Sequence, residues 1–269
     1  MIIFCGALLA GADFAERLES MGEFKRAAVE YLRYAHANPA AADKQLALFK
    51  SGRCFEKAKD FRTAKLLYLE LNGPDVPVDL VEAARYRVVL SDFFIGDLNT
   101  AIRQAEADSG SEEYLRASRY LRGWIYFYSR EYSVSLGVFG DLKPEYYDSS
   151  VVFMIERSED GLDLARRSPA LAASMSAVLP GSGRAYCGRW GDALVSLIAV
   201  GGTIGGAIAL WDDDRSFAIG LGVTGAFFYG GNVYGSWAGA NWFNEERHRE
   251  LYRYARQDVN RRPEELYDF

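Results

Sequence analysis

Two long uncharged stretches near the C-terminus constrain this chain more than any other feature. They run over residues 193–211 and 216–244 and are separated only by Asp212-Asp213-Asp214-Arg215. Nineteen residues of helix rise about 28 Å, close to the ~30 Å hydrocarbon thickness of a bilayer. We therefore predict a transmembrane helical hairpin, with spans at 193–211 and 216–240 and a turn at the acidic break.

The same region is rich in glycine, with fifteen of the chain's 26 glycines between Gly181 and Gly239. Glycine disfavours an isolated soluble helix but lets two helices approach closely in lipid. Small-xxx-small spacing predicts helix-packing positions at Gly201, Gly205, Gly231, Gly235 and Gly239. The spacing leaves open whether the contact is within one chain, which is the default expectation, or between copies in a homo-oligomer. Asn232 and Asn241 are expected to face helices or the interface, because an unsatisfied amide is costly in lipid.

The composition argues against several classes of function. A net charge of −6 without a basic stripe or a nucleic-acid motif argues against a DNA or RNA partner. The three cysteines, Cys5, Cys54 and Cys187, are too scattered for a zinc site or a disulfide framework, so we expect no metal and no cofactor. Only His36 and His248 are present, outside any catalytic motif, and we predict no catalytic residues.

The first twelve residues, MIIFCGALLAGA, form a short apolar run that ends in the small-x-small pattern Ala10-Gly11-Ala12. This pattern precedes signal-peptide cleavage and predicts a truncated signal peptide over 1–12, although the positively charged n-region is missing. The alternative is that the run forms the first turns of a packed helix. Under the first interpretation the residues that follow are exported.

Residues 13–143 carry a repeated helical pattern. One apolar stripe of helical period consists of Phe24, Ala27, Ala28, Tyr31, Leu32 and Ala35. Its signature returns 37 residues later at Phe61, Ala64 and Tyr68, after another 37 at Leu98, Ala101 and Ala105, and after 34 more at Tyr132, Ser135 and Phe139. A period of this size is typical of stacked helical hairpins that cannot bury their apolar faces alone.

At these residues the chain resembles a tetratricopeptide repeat array over about half its length. Gly22 and Gly96 stand at the turns inside repeats, where Lys59 and Arg130 replace the usual glycine in the other two. Further matching positions are Gly52 and Gly123 in the first helices and Pro39 after the first unit. The resemblance implies an α-solenoid with a concave surface used for protein contacts, and it implies no catalytic residue.

The chain is therefore predicted to be all-α, with a tetratricopeptide-like α-solenoid followed by a short helix and a transmembrane helical hairpin. The solenoid occupies 13–143 and a connecting helix 144–168. A membrane domain follows at 169–244, and an Arg-rich tail completes the chain at 245–269.

In this repeat register, the concave face of the third and fourth first-helices carries seven aromatic residues. They are Tyr86, Phe93, Phe94, Tyr120, Trp124, Phe127 and Tyr128. Aromatic side chains give large contact area at low entropy cost and are enriched at binding hot spots. We predict a partner-binding groove here for a protein or peptide. The more conservative interpretation is that these side chains pack against the connecting helix or the membrane surface.

Between the array and the hairpin lies a short apolar helix at 169–179, which begins at Ser168-Pro169 and stops at Pro180-Gly181. It is short for a simple span, so crossing at a thinned site, re-entry and an interfacial position all remain open. A run of the type P-G-x-G-x-x-Y-x-G-R follows, with Pro180, Gly181, Gly183, Tyr186, Gly188 and Arg189. It resembles the hinge of small bacterial membrane domains, some joined to helical repeats in envelope proteins and associated with membrane-protein insertion factors. The resemblance implies a membrane hinge at these six residues.

The placement of arginine predicts the topology. Six arginines lie in the tail and two, Arg184 and Arg189, in the hinge, whereas the loop between the spans has one arginine among three aspartates. The tail and hinge are therefore predicted to be cytoplasmic. With an exported, periplasmic array, this arrangement requires helix 169–179 to cross, giving three spans in the bacterial inner membrane.

Two classes of function fit these features. The first is a non-enzymatic envelope scaffold or adaptor that holds an unidentified protein or peptide partner at the lipid bilayer, with a role in membrane or envelope complex assembly. The alternative is a membrane enzyme or transporter component with its site in the glycine-rich helices. Asp192, at the edge of the first span, is the one candidate acid for the alternative, and a carboxylate at a helix N-terminus explains it as well.

Overall fold

The structure, a computed structural model, describes residues 13–40, 43–106, 109–142 and 149–267. The predicted signal peptide at 1–12 lies outside these residues. Two compact units are present, each taken here over its described residues. The first comprises Met1–Leu162 with Ala255–Phe269, and the second comprises Asp163–Tyr254.

Helices joined by turns make up the described part of the chain, which contains no β-strand, and the predicted all-α class is confirmed. In chain order the helices are α1 (residues 13–20), α2 (Phe24–Ala37), α3 (Lys44–Lys57), α4 (Phe61–Leu69), α5 (Val78–Ile95), α6 (Leu98–Ala105), α7 (Glu112–Tyr128), α8 (Tyr132–Gly140), α9 (Ser149–Leu162), α10 (Pro169–Val178), α11 (Ser182–Tyr186), α12 (Trp190–Ala209), α13 (Arg215–Asp258) and α14 (Pro263–Leu266). From α2 to α9, each helix packs against the next one along the chain.

A left-handed residue ends the first helix of each pair in the first unit. These residues are Gly22, Lys59, Gly96 and Arg130, with φ between 64° and 91°. At each one the following N–H returns to a carbonyl five residues back, as from Asp60 to Phe55, which is the Schellman arrangement that ends helices. Lys59 and Arg130 therefore adopt the same backbone as the two glycines, although this conformation disfavours a side chain.

The helices within a pair approach closely where a glycine faces an aromatic ring. A Cβ at Gly52 on α3 would lie 2.6 Å from the ring of Tyr68 on α4. A Cβ at Gly123 on α7 would lie 2.6 Å from the ring of Phe139 on α8. Both rings are fully buried. Only glycine leaves room for this packing without moving the neighbouring helix.

The second helices of two pairs begin at an aspartate that caps the free N–H groups of the first turn. Asp60 Oδ1 accepts a hydrogen bond from Thr63 N at 3.2 Å, and Asp97 Oδ1 accepts one from Thr100 N at 3.3 Å. Such caps typically stabilise a helix by about 1 kcal/mol. The starts of α4 and α6 are thus encoded locally, directly after the left-handed turn.

The C-terminal part of the chain belongs to the first unit. Helix α13 continues to Asp258, so the Arg-rich tail predicted at 245–269 begins as helix. The residues from Ala255 onward are grouped with helices α1 to α9, where α14 packs against α7. We call residues 259–267 the tail segment.

The second unit contains α10, α11, α12 and the larger part of α13. By length and composition, α12 is the one helix among the described residues that is apolar enough to cross a membrane. Only 17% of its apolar window is buried inside the protein, unlike the core helix of a soluble domain. The second predicted span, 216–240, lies within α13, which does not meet the same criterion. Its glycines, tyrosines and asparagines lower the mean hydropathy.

Large apolar side chains are exposed along both long helices of this unit. On α12 the exposed residues are Leu194, Val195, Leu197, Ile198, Ile204 and Ile208, and on α13 they include Phe217, Ile219, Val223, Phe227 and Phe228. Tryptophans flank α12, with Trp190 at its start and Trp211 just beyond its end, and both are exposed. Continuous apolar exposure of this extent marks a surface that contacts lipid or protein.

Candidate functional site

The seven aromatic residues predicted to line a groove lie together, but they do not form an open surface. Tyr86, Phe93, Tyr120, Trp124 and Phe127 are buried, Phe94 is partly buried, and Tyr128 is 39% exposed. Part of this burial comes from ring-to-ring packing, as between Phe93 and Tyr128 and between Trp124 and Phe127. Rings of neighbouring helices add to it, as between Tyr120 and Phe139 and between Phe127 and Tyr132. At Tyr86 and Tyr120 the tail segment also contributes, which neither interpretation of the sequence anticipated.

The tail segment bonds to this face through its main chain. Tyr86 OH donates to the carbonyl O of Pro263 at 2.6 Å, and Tyr120 OH donates to the carbonyl O of Arg261 at 2.8 Å. Tyr86 and Tyr120 lie 34 residues apart, the repeat interval, so they occupy equivalent positions on consecutive first helices. Their hydroxyl groups therefore lie along one face, and we call the surface formed by Glu82, Tyr86, Arg87, Tyr114 and Tyr120 the aromatic groove.

Arg87 supplies the charged part of the aromatic groove. Its side chain is 1% exposed, and its two terminal nitrogens donate to the carbonyl O of Glu264 at 3.1 Å and of Tyr267 at 2.7 Å. The carboxylate of Glu56 lies 3.5 Å from the same guanidinium. Burial raises the pKa of Glu56, against the lowering effect of Arg87 and Arg53. A buried guanidinium needs acceptors on several sides, and the tail segment provides two of them.

The single turn of α14 explains why its carbonyl groups are available. A four-residue helix leaves nearly all of its carbonyls without intrahelical partners. Those of Pro263 and Glu264 are satisfied instead by Tyr86 and Arg87 of the groove. Pro263 also sits at the first helical position, where its missing N–H costs nothing, and its ring is buried.

Tyr267 is the side chain of the tail segment that the groove contacts most fully. Its ring packs against those of Tyr86 and Tyr114, with centroids 5.7 Å and 6.0 Å apart. Its hydroxyl donates to Glu82 Oε2 at 3.0 Å. Burial is the largest effect on this phenol and raises the pKa of Tyr267 to about 12.

Glu82 joins the tail segment to the start of α7. Its carboxylate accepts from Ser111 N at 2.6 Å and from Ser111 Oγ at 2.5 Å, besides the bond from Tyr267. Burial acts to raise the pKa of Glu82, but the hydrogen bonds from Ser111 and Tyr267 outweigh it and the pKa is lowered. Ser111 is also the N-cap of α7, so one carboxylate fixes both a repeat helix and the tail segment.

Three further contacts hold the tail segment in place. Asn260 Nδ2 donates to Ser149 Oγ at 2.6 Å, and Arg261 N donates to Ser150 Oγ at 3.2 Å. Arg256, at the end of α13, forms an ion pair with Glu264 and lies over the ring of Phe94 at 5.6 Å. The segment thus contacts α5, α7 and α9 of the first unit.

These bonds overturn the three-span topology. That topology places the array in the periplasm and the tail in the cytoplasm, on opposite sides of a membrane. Atoms joined by hydrogen bonds of 2.6 to 3.1 Å, as between Tyr86 or Arg87 and the tail segment, cannot be separated by a bilayer. The array and the tail therefore lie on the same side, and any crossings between them are even in number.

The predicted hinge residues of the second unit surround a buried polar network centred on Asn232. Asn232 Oδ1 accepts from Gly181 N at 2.9 Å, and its Nδ2 donates to the carbonyl O of Ser176 at 2.9 Å. Ser176 Oγ lies 2.7 Å from Ser236 Oγ and accepts from Gly183 N at 2.9 Å. These bonds attach the end of α10 and the following turn to the middle of α13.

Glycine is required at two positions of this turn. Gly181 has a φ of 85°, and a Cβ there would overlap the carbonyl oxygen of Ala193. A Cβ at Gly183 would overlap the carbonyl oxygen of Ala172. Backbone groups cannot yield as the end of a flexible side chain can. The glycines of the motif therefore allow close backbone packing, consistent with a structural role.

The remaining hinge residues make polar contacts around the same turn. Tyr186 OH accepts from Ser168 N at 3.3 Å, and the guanidinium of Arg167 lies 4.8 Å from the centre of the Tyr186 ring. Arg189 Nε donates to Asp192 Oδ2 at 2.7 Å. Asp192 is thus paired with its neighbour at the start of α12. Pro180 and Gly188 complete the turns on either side of α11.

The predicted helix-packing glycines have different surroundings. A Cβ at Gly201, Gly205 or Gly231 would meet nothing within 4 Å, whereas Gly235 faces Arg184 and Gly239 faces Arg189. The close approach of α12 and α13 lies elsewhere: Gly206 faces Leu221 and Gly225 faces Thr203. Small-xxx-small spacing therefore marked the glycine-rich faces without identifying the positions where the two helices touch.

Several important residues were missed by sequence reasoning. Arg87 and Glu82 are buried charges inside the apolar helix α5, and this pattern is itself a signal for a buried polar site. Ser176 and Ser236 carried no signal, because serine is unremarkable in a helix rich in small residues. Within the described ranges, no group of three histidine, cysteine, aspartate or glutamate side chains is placed to hold a metal ion.

Comparison with protein-family models, with curated proteins and with solved structures gives no match for this chain. The class that the fold defines is an all-α protein in which, over the described residues, one helix is long and apolar enough to cross a membrane.

Proposed function

We propose that this protein is a non-enzymatic, membrane-anchored scaffold of the bacterial cell envelope that holds a protein partner at the bilayer through its aromatic groove. One observation carries the proposal: the groove binds the tail segment through four main-chain carbonyl groups, those of Arg261, Pro263, Glu264 and Tyr267. Donors directed at main-chain carbonyls are how a protein surface recognises a peptide of limited sequence specificity.

The need for an occupant follows from burial. Tyr86, Arg87 and Tyr120 are fully buried with the tail segment present, and each donates a hydrogen bond to it. A buried donor deprived of its acceptor costs about 1–3 kcal/mol, and more when it is charged. The groove is therefore suited to being filled by a segment that presents carbonyl groups.

The four recurring left-handed turns and the two glycine–aromatic contacts support a tetratricopeptide-like α-solenoid for the repeat helices. In arrays of this kind, first helices line the concave surface, which is the usual site of peptide binding. Tyr86 and Tyr120 hold equivalent positions on such helices. The proposed groove thus lies where the repeat architecture offers a binding face.

The bilayer is the proposed anchor for the second unit. In support, α12 has 20 residues, about 30 Å of helix, with exposed apolar side chains and exposed tryptophans at both ends. The proposal gives α12 and the first half of α13 as a two-span hairpin. The array, hinge and tail lie on the arginine-rich cytoplasmic side of the inner membrane, in place of the periplasmic array expected from the first twelve residues. The acidic loop at Asp212–Asp214 lies on the opposite side.

The enzyme or transporter alternative has less support. Asp192 is paired with Arg189, and the buried amide of Asn232 is bonded to the backbone of the hinge. The proposal accordingly assigns both to the structure of the second unit.

The proposal is tested by isolating the full chain from bacterial membranes in mild detergent. The double variant Tyr86→Phe/Tyr120→Phe keeps both rings and removes the two hydroxyl donors. Tyr34→Phe is the matched control, because its hydroxyl bonds to Asp43 outside the groove. We expect a stoichiometric partner protein to copurify with the wild type and with the control but not with the double variant. Recovery of the full chain as a monodisperse soluble species without detergent would contradict the anchor, and equal copurification by all three proteins would contradict the groove.

A further inference from the structure

The tail segment shows what kind of partner the aromatic groove fits. We propose that the groove is a receptor for protein segments with a proline followed four residues later by a tyrosine, and that residues 259–267 occupy it until such a segment displaces them. This inference rests on the proposed function and names the ligand class and its competitor.

Pro263 and Tyr267 are the two anchors that flank the carbonyl groups bound by the groove, and Val259 at the start of the tail segment is buried as well. Pro263 is buried, and Tyr267 packs its ring between Tyr86 and Tyr114. Glu265, between them, is exposed, and Leu266 is partly exposed. One helical turn separates the two anchors, so a Pro-x-x-x-Tyr segment presents both side chains and the intervening carbonyl groups to one surface.

Specificity for tyrosine over phenylalanine comes from Glu82. Its carboxylate accepts the phenolic proton of Tyr267 and is held in place by two bonds from Ser111. A buried acceptor that loses its donor disfavours the analogue lacking the hydroxyl. The hydrogen bonds from Tyr86, Arg87 and Tyr120 go to main-chain carbonyl groups, so they add affinity for any segment regardless of its side chains.

The tail segment is a competitor because it is tethered. It follows directly after α13, so its effective concentration at the groove is set by a short connection and reaches about the millimolar range for flexible linkers. A partner segment with the same anchors needs higher affinity, or a membrane-bound position of its own, to replace it. Binding to the groove therefore exposes the tail segment.

Binding of a fluorescently labelled synthetic peptide with the sequence VNRRPEELY, residues 259–267, tests this inference. Full-length protein in detergent is titrated as wild type, as Tyr267→Ala, which weakens the tethered tail, and as Tyr267→Phe, a milder variant that keeps the ring. Glu265→Ala is the control for the tail. Circular dichroism at the temperature of the titration, showing the helix content of the wild type, establishes that each variant is folded.

We expect Tyr267→Ala to bind the peptide at least about tenfold more tightly than the wild type, because the tethered competitor is weakened. Tyr267→Phe should show an intermediate gain and Glu265→Ala none. A peptide in which alanine replaces the proline or the tyrosine should bind at least about tenfold more weakly than the native peptide, since the proline is buried and the tyrosine ring packs against two aromatic rings.

The outcomes separate the two proposals. Equal peptide binding by wild type and Tyr267→Ala overturns the tethered competitor and leaves the groove as a receptor. Absence of binding to every folded variant removes the groove as a receptor and with it the proposed function. A dimer of the wild-type chain that the peptide dissociates assigns the groove to the tail of a second copy and overturns the partner class named here.

Discussion

Arg87, in the middle of α5, donates a hydrogen bond of 2.7 Å to the carbonyl oxygen of Tyr267, 180 residues further along the chain. The bond connects a buried cation of the repeat helices to the last described residue of the protein. It makes the tail segment part of the core of the first unit. The first prediction follows from what happens when the cation is removed.

Arg87→Met should release the tail segment and destabilise the first unit by about 3 kcal/mol, because Glu56 and two carbonyl groups lose a buried partner. The measurement is thermal unfolding in detergent together with the rate at which a protease cleaves after residue 258. Arg85→Met is the matched control, since Arg85 lies on the same helix and is exposed. Unchanged cleavage of Arg87→Met would show that the tail is held by other contacts.

Gly123→Ala should destabilise the first unit by about 1–3 kcal/mol, because the new methyl group would lie 2.6 Å from the buried ring of Phe139. Gly137→Ala is its control on the adjoining helix α8, where a Cβ meets nothing within 4 Å. That control should stabilise by about 0.5–1 kcal/mol, through helix propensity alone. Chemical denaturation should show a lower free energy of unfolding for Gly123→Ala and a higher one for Gly137→Ala. An equal loss of unfolding free energy in both variants would contradict the close contact.

Glu82 should make the docking of the tail segment sensitive to acid. Its pKa in the folded protein is below the ordinary value of 4.5, so its contribution to stability is complete above about pH 4.5 and is lost as the pH falls through the lower folded pKa. Stability measured between neutral pH and pH 3 should therefore fall more steeply in the wild type than in Glu82→Gln. Parallel curves for the two proteins would exclude Glu82 as the source of acid sensitivity.

Asn232→Leu should lower the thermal stability of the full chain in detergent, because Gly181 N and the carbonyl of Ser176 lose their partner inside the protein. A cost of about 1–3 kcal/mol is typical for a buried backbone group left unsatisfied. Asn241→Leu provides the control, since Asn241 is exposed and bonds only to the carbonyl of Trp237 on its own helix. If both variants unfold like the wild type, the polar network does not fasten α10 to α13.

The proposed topology predicts how single cysteines react in intact cells after the three native cysteines are replaced by alanine. A membrane-impermeant thiol reagent added from outside should modify Asp213→Cys in the loop and leave Lys25→Cys in the array and Glu265→Cys in the tail unmodified. Modification of Lys25→Cys and Glu265→Cys without Asp213→Cys would reverse the orientation. Labelling of only one of these two would contradict their shared side, on which the docked tail depends.

Much of the local architecture could be predicted from the sequence. The stripe at Phe24 to Ala35, the turn positions Gly22 and Gly96 and the helix start at Ser168-Pro169 all express interactions within a few residues, which sequence patterns report directly. The structure buries Tyr86 and Tyr120, although the groove to which they belong was predicted from the repeat register. Its occupant was not, because Pro263 and Tyr267 reach it from about 180 positions away.

The sequence by itself determined the all-α class, the repeat interval and the apolar length of α12, since helix period, capping and hydropathy depend on near neighbours. Only the tertiary structure decided that the aromatic face is closed by the tail segment, that array and tail share one side, and that Asn232 fastens the hinge. Each of these depends on groups brought together by the path of the whole chain. Their energies come from hydrogen bonds and burial that exist only after folding, which no local pattern encodes.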